Sequence, residues 1–296
     1  MTGSITEVPG VQVGQWTGDG TGVTVILVPP GTVGAGEQRG GAPASRELAL
    51  LEPGRTVETV DAVVLTGGSA FGLGTADGVM AWLAEHGRGF PTRGGVVPIV
   101  PTAAIYDLVE SGGTWPGPDE GRAAADAAAA GRPLRTGRVG AGRGATVGKW
   151  RGGEHAVPGG LGTASCTVGP ATVGALAVVN AIGDVRDADG RILAGSRAGD
   201  DVDAFPDVAP FEGEGNTTLL VVATDARLAK VDAALVAQSV HHGIAQAVHP
   251  SHTRHDGDLA IVLATGAADA HLDRLRVAAT EVAASAVRDA VRKDDD

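Results

Sequence analysis

From residue 183 to residue 216 the chain is polar and acidic with little hydrophobic periodicity, and then Thr217 opens an apolar run, TTLLVVAT, without transition. A Val- and Leu-rich run of that length reads as a buried strand. The fold must therefore place a core strand directly behind a long surface linker, joined through Gly215-Asn216-Thr217. In one reading this is an ordinary Gly-Asn turn entering a core strand. In the other it holds the parts of a self-cleaving bond: a mobile peptide, an attackable carbonyl on Asn216, and a hydroxyl on Thr217 fixed at the start of a rigid element. Cleavage there would free the α-amine of Thr217, whose ordinary pKa of about 7.7–8.0 lets it take the hydroxyl proton near neutral pH without a histidine.

The rest of the chain reads as strands in pairs with helices between and after them. Val11–Trp16 and Val23–Val28 form strands around the turn Thr17-Gly18-Asp19-Gly20, and Gly31 to Ala44 reads as a Gly-rich loop. Asp61–Leu65 is a short strand, and Thr66-Gly67-Gly68-Ser69 leads into a helix ending near His86. Residues 119–130 form an Ala-rich helix stopped by Gly131, and 137–160 is a Gly-rich stretch suited to close approach to a ligand or partner. Gly162 to Val179 gives two strands broken at Gly169-Pro170. A helix is expected from about 226 to 243, a last strand over Asp258–Ala264, and a long helix over 268–292. Sheets covered on the outside by helices follow: an α/β chain in a layered αββα sandwich. No internal repeat is visible, and residues 1–296 are expected to form a single domain.

Composition narrows what the domain can do. Hydrophobic residues make up 43% of the 296 positions, enough for a substantial core, while aromatics are only 3% and glycines number 47, so small-residue packing is expected. A net charge of −12 argues against nucleic acid or an anionic membrane as partner, because both call for basic patches. A single cysteine, Cys166, suits a reducing cytoplasm and leaves no intramolecular disulfide. The start MTGSITEVPG lacks a basic segment followed by an apolar run, and no stretch approaches the roughly 20 apolar residues of a membrane span. A cytoplasmic protein is the expectation.

Two other chemistries are suggested by spacing. Gly144-Ala145-Thr146-Val147-Gly148-Lys149 resembles a phosphate loop, but Arg143 stands where the first glycine belongs and Trp150 follows the lysine. The glycines from 140 to 144 also lack the dinucleotide-binding spacing. His241, His242, His249, His252 and His255 lie within fifteen residues beside Asp256 and Asp258, which would suit a metal-dependent hydrolase, yet the spacing matches no standard zinc signature. No cofactor and no metal are expected. A non-catalytic binding protein is the remaining alternative, and it predicts an uncut chain.

Five motifs in order, LTGGSAFGL (65–73), GATVGK (144–149), VVNAIGDV (178–185), GNTTLLVVATDA (215–226) and HDGDLAIVLATG (255–266), resemble the DmpA/β-aminopeptidase family of autoprocessed N-terminal-nucleophile hydrolases. Within that family they are most similar to the nylon-oligomer hydrolase branch, which acts on 6-aminohexanoate oligomers. The resemblance implies self-cleavage between Asn216 and Thr217 into fragments 1–216 and 217–296, with Thr217 as nucleophile. It implies Asp256 and Asp258 as acidic partners, Asn180 as oxyanion donor, and Lys149 and Tyr106 as further active-site residues. Asp256 and Asp258, two apart in an extended segment, point the same way and could share a proton or hold an ammonium. Each residue alone also has a plain reading. Asp256-Gly257-Asp258 can be a turn, Asn180 a strand-end satisfier, Tyr106 packing and Lys149 a solvated charge. Other branches carry a serine nucleophile, which sets the β-peptide and D- or L-aminopeptidases apart as the alternative. The related ornithine acetyltransferases, which also cleave before a threonine, share fewer motifs with this chain. The resemblance further implies a homo-oligomer of four or more processed units and, as substrates, linear amides or short peptides.

Overall fold

Central strands of this chain are apolar at nearly every position because both of their faces are covered. A computed structural model describes residues 1–199, 201–205 and 215–292. In chain order the main strands are β1 (Gln12–Thr17), β2 (Gly22–Leu27), β3 (Val33–Gln38), β4 (Ser45–Arg46), β5 (Ala62–Thr66), β6 (Thr102–Ala104), β7 (Gly160–Val168), β8 (Ala171–Asn180), β9 (Thr217–Ala226) and β10 (Leu259–Ala268). The helices are α1 (Ser69–Gly72), α2 (Thr75–Glu85), α3 (Pro118–Ala129), α4 (Lys230–Ala247) and α5 (Leu272–Asp289). One sheet has the order β1-β2-β5-β6-β4 and the other β7-β8-β9-β10-β3. Neighbours are antiparallel except β5 with β6 and β9 with β10, which run parallel.

Alternation along each strand sorts its side chains between two cores. In β9, Leu219, Val221 and Ala223 face the space between the sheets, whereas Leu220 and Val222 face α4 and α5. In β10, Leu259, Ile261 and Leu263 pair with the first set, and Ala260, Val262 and Ala264 with the second. In β5, Val63 and Leu65 meet the inter-sheet core while Ala62 and Val64 lie under α2 and α3. The order helix, sheet, sheet, helix is the expected αββα sandwich.

Small residues set the spacing of those layers. A Cβ on Gly14 of β1 would stand 2.1 Å from the carbonyl oxygen of Ala124 in α3. A Cβ on Gly162 of β7 would stand 2.2 Å from the carbonyl oxygen of Ala286 in α5. At these points α3 and α5 lie against strand backbone, and their alanine-rich faces suffice to fill the gap. α3 begins where the sequence says it should, with Pro118 in its first turn and the Glu120 carboxylate accepting the Gly117 N–H at 2.7 Å.

Three expectations need correction. The Gly31 to Ala44 loop contains β3, which closes the second sheet beside β10. Its sequence VGAGEQ hides the strand, because side chains at Gly34 and Gly36 would run into Val60 and Leu51. The linker from 183 is structured at its start, where strands Asp184–Arg186 and Ile192–Ala194 pair with each other and the first also pairs with Val248–His249. Residue 200 and residues 206–214 of that linker, and the end of the chain from 293, lie outside the described residues. Finally, β9 runs on to Ala226 and α4 begins only at Lys230 and ends at Ala247. Among the described residues no helix is long and apolar enough to cross a membrane.

Candidate active site

Register in the second sheet brings the candidate residues to one end of it. Thr217, the first residue of β9, is the cross-strand partner of Asn180, the last residue of β8. On the other side Asn216 forms a parallel bridge with Asp256, in the segment that leads into β10. Asn180, Asn216, Thr217, Asp256, Asp258 and Lys149 are all buried, none more than 7% exposed. Buried polar groups in such number must be mutually satisfied.

The Asn216 carbonyl oxygen receives two hydrogen bonds. Thr217 Oγ1 donates to it at 2.5 Å and the Gly257 N–H at 2.8 Å. The nucleophile candidate thus lies against the carbonyl of its own peptide, and a main-chain donor points at the oxygen that would become an oxyanion.

Asp258 and Asp256 are held by different partners. Asp258 Oδ1 accepts the Thr218 N–H at 2.6 Å, and its Oδ2 is bonded to His252 Nδ1 at 2.7 Å. Asp256 Oδ2 accepts the Thr253 N–H and hydroxyl, both at 2.8 Å, while its Oδ1 accepts the Ile182 N–H at 3.5 Å. Burial, with the charge of Asp258 adding to it, pushes the Asp256 carboxyl up to about 6. Burial depresses the His252 imidazole, but the hydrogen bond to Asp258 and its charge outweigh that and hold it above its ordinary value.

Asn180 is the hub of the opposite wall. Its Nδ2 donates to the carbonyls of Gly215 and Tyr106, both at 3.1 Å. Its Oδ1 accepts from Lys149 Nζ and from the Thr146 N–H, both at 3.0 Å. Those donors fix the orientation of the amide, so its N–H groups face the junction. Tyr106 enters this network through its main-chain carbonyl, and its Cβ packs so close to Gly215 that a side chain there would stand 2.8 Å from it.

All six residues picked out by motif therefore gather around residues 215–217. The segment that imitates a phosphate loop supplies Thr146 and Lys149 to Asn180. Sequence reasoning missed the Gly257 N–H and Thr253, and took His252 only as a possible metal ligand. Among the described residues no three His, Cys, Asp or Glu side chains gather as a metal-ligand set. His241 instead packs edge-on to His252, 5.0 Å between ring centres, with Nε2 at 3.0 Å from the Glu37 carbonyl oxygen.

Burial lowers the His241 pKa to about 4, against the pull of the Glu37 carbonyl. Folding thus favours the neutral ring, and this contribution is complete above its ordinary value of 6.5 and fades as the pH falls toward 4. His241→Gln keeps a donor for the Glu37 carbonyl but cannot charge. Relative to the parent chain its stability is expected to rise by about 3 kcal/mol between pH 6.5 and pH 4, read by urea denaturation at several pH values. Parallel pH curves for the two chains would contradict the burial argument.

The architecture is two stacked sheets between helix layers, with Thr217 at the head of a central strand. Solved structures share it. A β-aminopeptidase from a Burkholderia species superposes with a TM-score of 0.74 at 23% identity, covering 98% of this chain and 86% of that one. The L-aminopeptidase D-Ala-esterase/amidase of Ochrobactrum anthropi, described as a variant of the Ntn hydrolase fold, gives 0.72 at 20% identity, covering 98% and 86%.

Residues 3–295 match peptidase family S58, and the chain belongs to that family. Among its relatives, an uncharacterized aminopeptidase of Mycobacterium leprae is 44% identical over 90% of this chain and 80% of its own length. A 6-aminohexanoate-oligomer endohydrolase of an Agromyces species is 31% identical over 89% of this chain and 75% of its own length. The protein is thus an enzyme of the peptidase and amide-hydrolase class, as the five motifs led one to expect.

Proposed function

We propose that the chain cuts itself between Asn216 and Thr217 and that the freed Thr217 is the nucleophile of an amide hydrolase. The observation that carries this reading is the doubly hydrogen-bonded Asn216 carbonyl, with the Thr217 hydroxyl at 2.5 Å and the Gly257 N–H at 2.8 Å. Thr217 Oγ1 attacks the Asn216 carbonyl carbon, and the developing oxyanion is held by Gly257. The hydroxyl proton passes to the Thr217 nitrogen as the C–N bond breaks, leaving an ester. Asp256, whose segment bridges to Asn216, is the carboxyl we assign to carry that proton. Water then hydrolyses the ester, releasing the Asn216 carboxylate and restoring the Thr217 hydroxyl beside the amine already freed.

In the processed enzyme the amine takes the hydroxyl proton as Oγ1 attacks a substrate amide, and returns it to the departing amine. An acyl ester forms and is hydrolysed by water. Asn180 Nδ2, released from the Gly215 carbonyl once that segment moves, donates to the substrate oxyanion. Asp258 anchors the strand behind the nucleophile, and Lys149 fixes the Asn180 amide. The substrates are linear amides such as 6-aminohexanoate oligomers or short peptides.

Intact-mass spectrometry of the purified protein tests the central step, with two species ending at Asn216 and beginning at Thr217 as the expected result. A single uncut polypeptide that still releases amines from amide substrates would overturn it. The 44% identity to a relative named as an aminopeptidase favours a second reading, in which the substrate must present a free amino terminus. N-acetylated oligomers separate the two: an endohydrolase cuts them and an aminopeptidase does not.

A further inference from the structure

We propose that His252 is a positioning residue of this site, clamping Asp258 so that Asp258 in turn holds the start of β9 in place. The inference deepens the Thr217 reading and rests on it. His252 reaches one oxygen of Asp258 twice, through ring Nδ1 at 2.7 Å and through its own main-chain N–H at 3.2 Å. The other oxygen of the same carboxyl accepts the N–H of Thr218 at 2.6 Å. One carboxyl therefore ties the loop before β10 to the residue immediately after the nucleophile. To present both donors to one oxygen the backbone of His252 sits at φ 57°, in the left-handed region that a non-glycine residue adopts at a cost.

The surroundings leave little else for the ring to do. Its Nε2 lies 3.4 Å from the carbonyl oxygen of His241 on α4, and the His241 ring covers it edge-on. The charged and titratable groups facing it are Asp258 from its own loop, His241 from α4, and Arg39, just beyond β3, which is paired with Glu37 at 2.9 Å. Neutral His252 in the Nδ1–H tautomer and protonated His252 both donate to Asp258, so the clamp persists through neutral pH. Asp256 is held separately, by the N–H and hydroxyl of Thr253 and the N–H of Ile182, so the two aspartates, alike in sequence, sit in different networks.

Asn is the informative replacement. Its Nδ2 hangs from the same Cγ position as His Nδ1, it tolerates a left-handed φ, and it cannot carry a charge. His252→Ala is expected to slow self-cleavage by about 10–100-fold and to lower the kcat of the processed enzyme similarly, with KM changed less than about twofold. His252→Asn is expected to recover processing to within about threefold of the parent, with an unchanged pH profile through neutral pH, because both imidazole forms donate to Asp258 as the amide does. Thr217→Ala runs alongside. Should Thr217→Ala still be processed, the underlying reading fails. Should it be blocked while His252→Ala is processed at the parent rate, the His252 proposal fails alone. Equal slowing in the Ala and Asn variants also overturns it. If the variants do not fold, the unprocessed Thr217→Ala chain carries the test, since 15N shifts of the His252 ring must show Nδ1 protonated across pH 6–8. An unprotonated Nδ1 at pH 7 rules the clamp out.

Discussion

Thr217→Ala is expected to leave one continuous chain and no measurable amide hydrolysis. The variant removes a hydroxyl and a methyl from a residue that is 4% exposed, a change worth about 1–2 kcal/mol of stability at such a site. The Asn216 carbonyl keeps the Gly257 N–H at 2.8 Å, so no buried acceptor is orphaned. The fold therefore survives and the loss is chemical. Removing a covalent nucleophile costs on the order of 10⁶ in kcat where its partners act only through it. Intact mass and a product assay on the same preparation read both effects. Thr217→Ser keeps the hydroxyl but loses the β-branch that holds it in one rotamer, so it is expected to be processed, more slowly. Normal processing of the alanine variant would assign the nucleophile elsewhere.

That the junction is legible from sequence, while its surroundings are not, has a physical reason. TTLLVVAT and LAIVLATG announce themselves because β9 and β10 are sandwiched between two apolar layers and have no polar face. VGAGEQ does not, because β3 must clear Val60 and Leu51 with glycines, and the alternation that marks a strand is lost with the side chains. Likewise Asn180, Asp256 and Asp258 stand in recognisable motifs, whereas the donor on the Asn216 carbonyl is a main-chain N–H. Its identity depends on the bridge of Asn216 with Asp256, a matter of strand register. His252 is six residues from Asp258 and reaches it only through a left-handed turn that no periodicity signals. The histidine-rich segment suggested metal because spacing alone does not show where rings point. Lys149 follows a glycine-rich approach that imitates a phosphate loop without its spacing, and its Nζ is bonded to the Asn180 side chain at 3.0 Å.

The proposed mechanism asks two reactions of this site, and Asn180→Ala is expected to affect them differently. In the uncut chain the Asn180 amide does not face the carbonyl to be broken. It donates to the carbonyls of Gly215 and Tyr106, while Gly257 faces the Asn216 oxygen. On the proposed mechanism, self-cleavage draws its oxyanion donor from the main chain, and Asn180 contributes by holding Gly215. Once the bond is cut, Gly215 is no longer tethered to Thr217 and the amide is free to meet a substrate oxygen. Losing one such donor costs roughly 10²–10³ in kcat, so the processed Asn180→Ala enzyme is expected to lose that factor. Processing itself should slow by about tenfold or less, the scale of one neutral hydrogen bond to a neighbouring residue. The variant also removes the Asn180 oxygen from Lys149, so melting temperature is measured in parallel to separate a loosened wall from a missing donor. A time course of intact mass against turnover of the already processed fraction gives both rates. Equal losses in the two would mean that one donor serves both reactions, and a change of turnover below threefold would remove Asn180 from the oxyanion role.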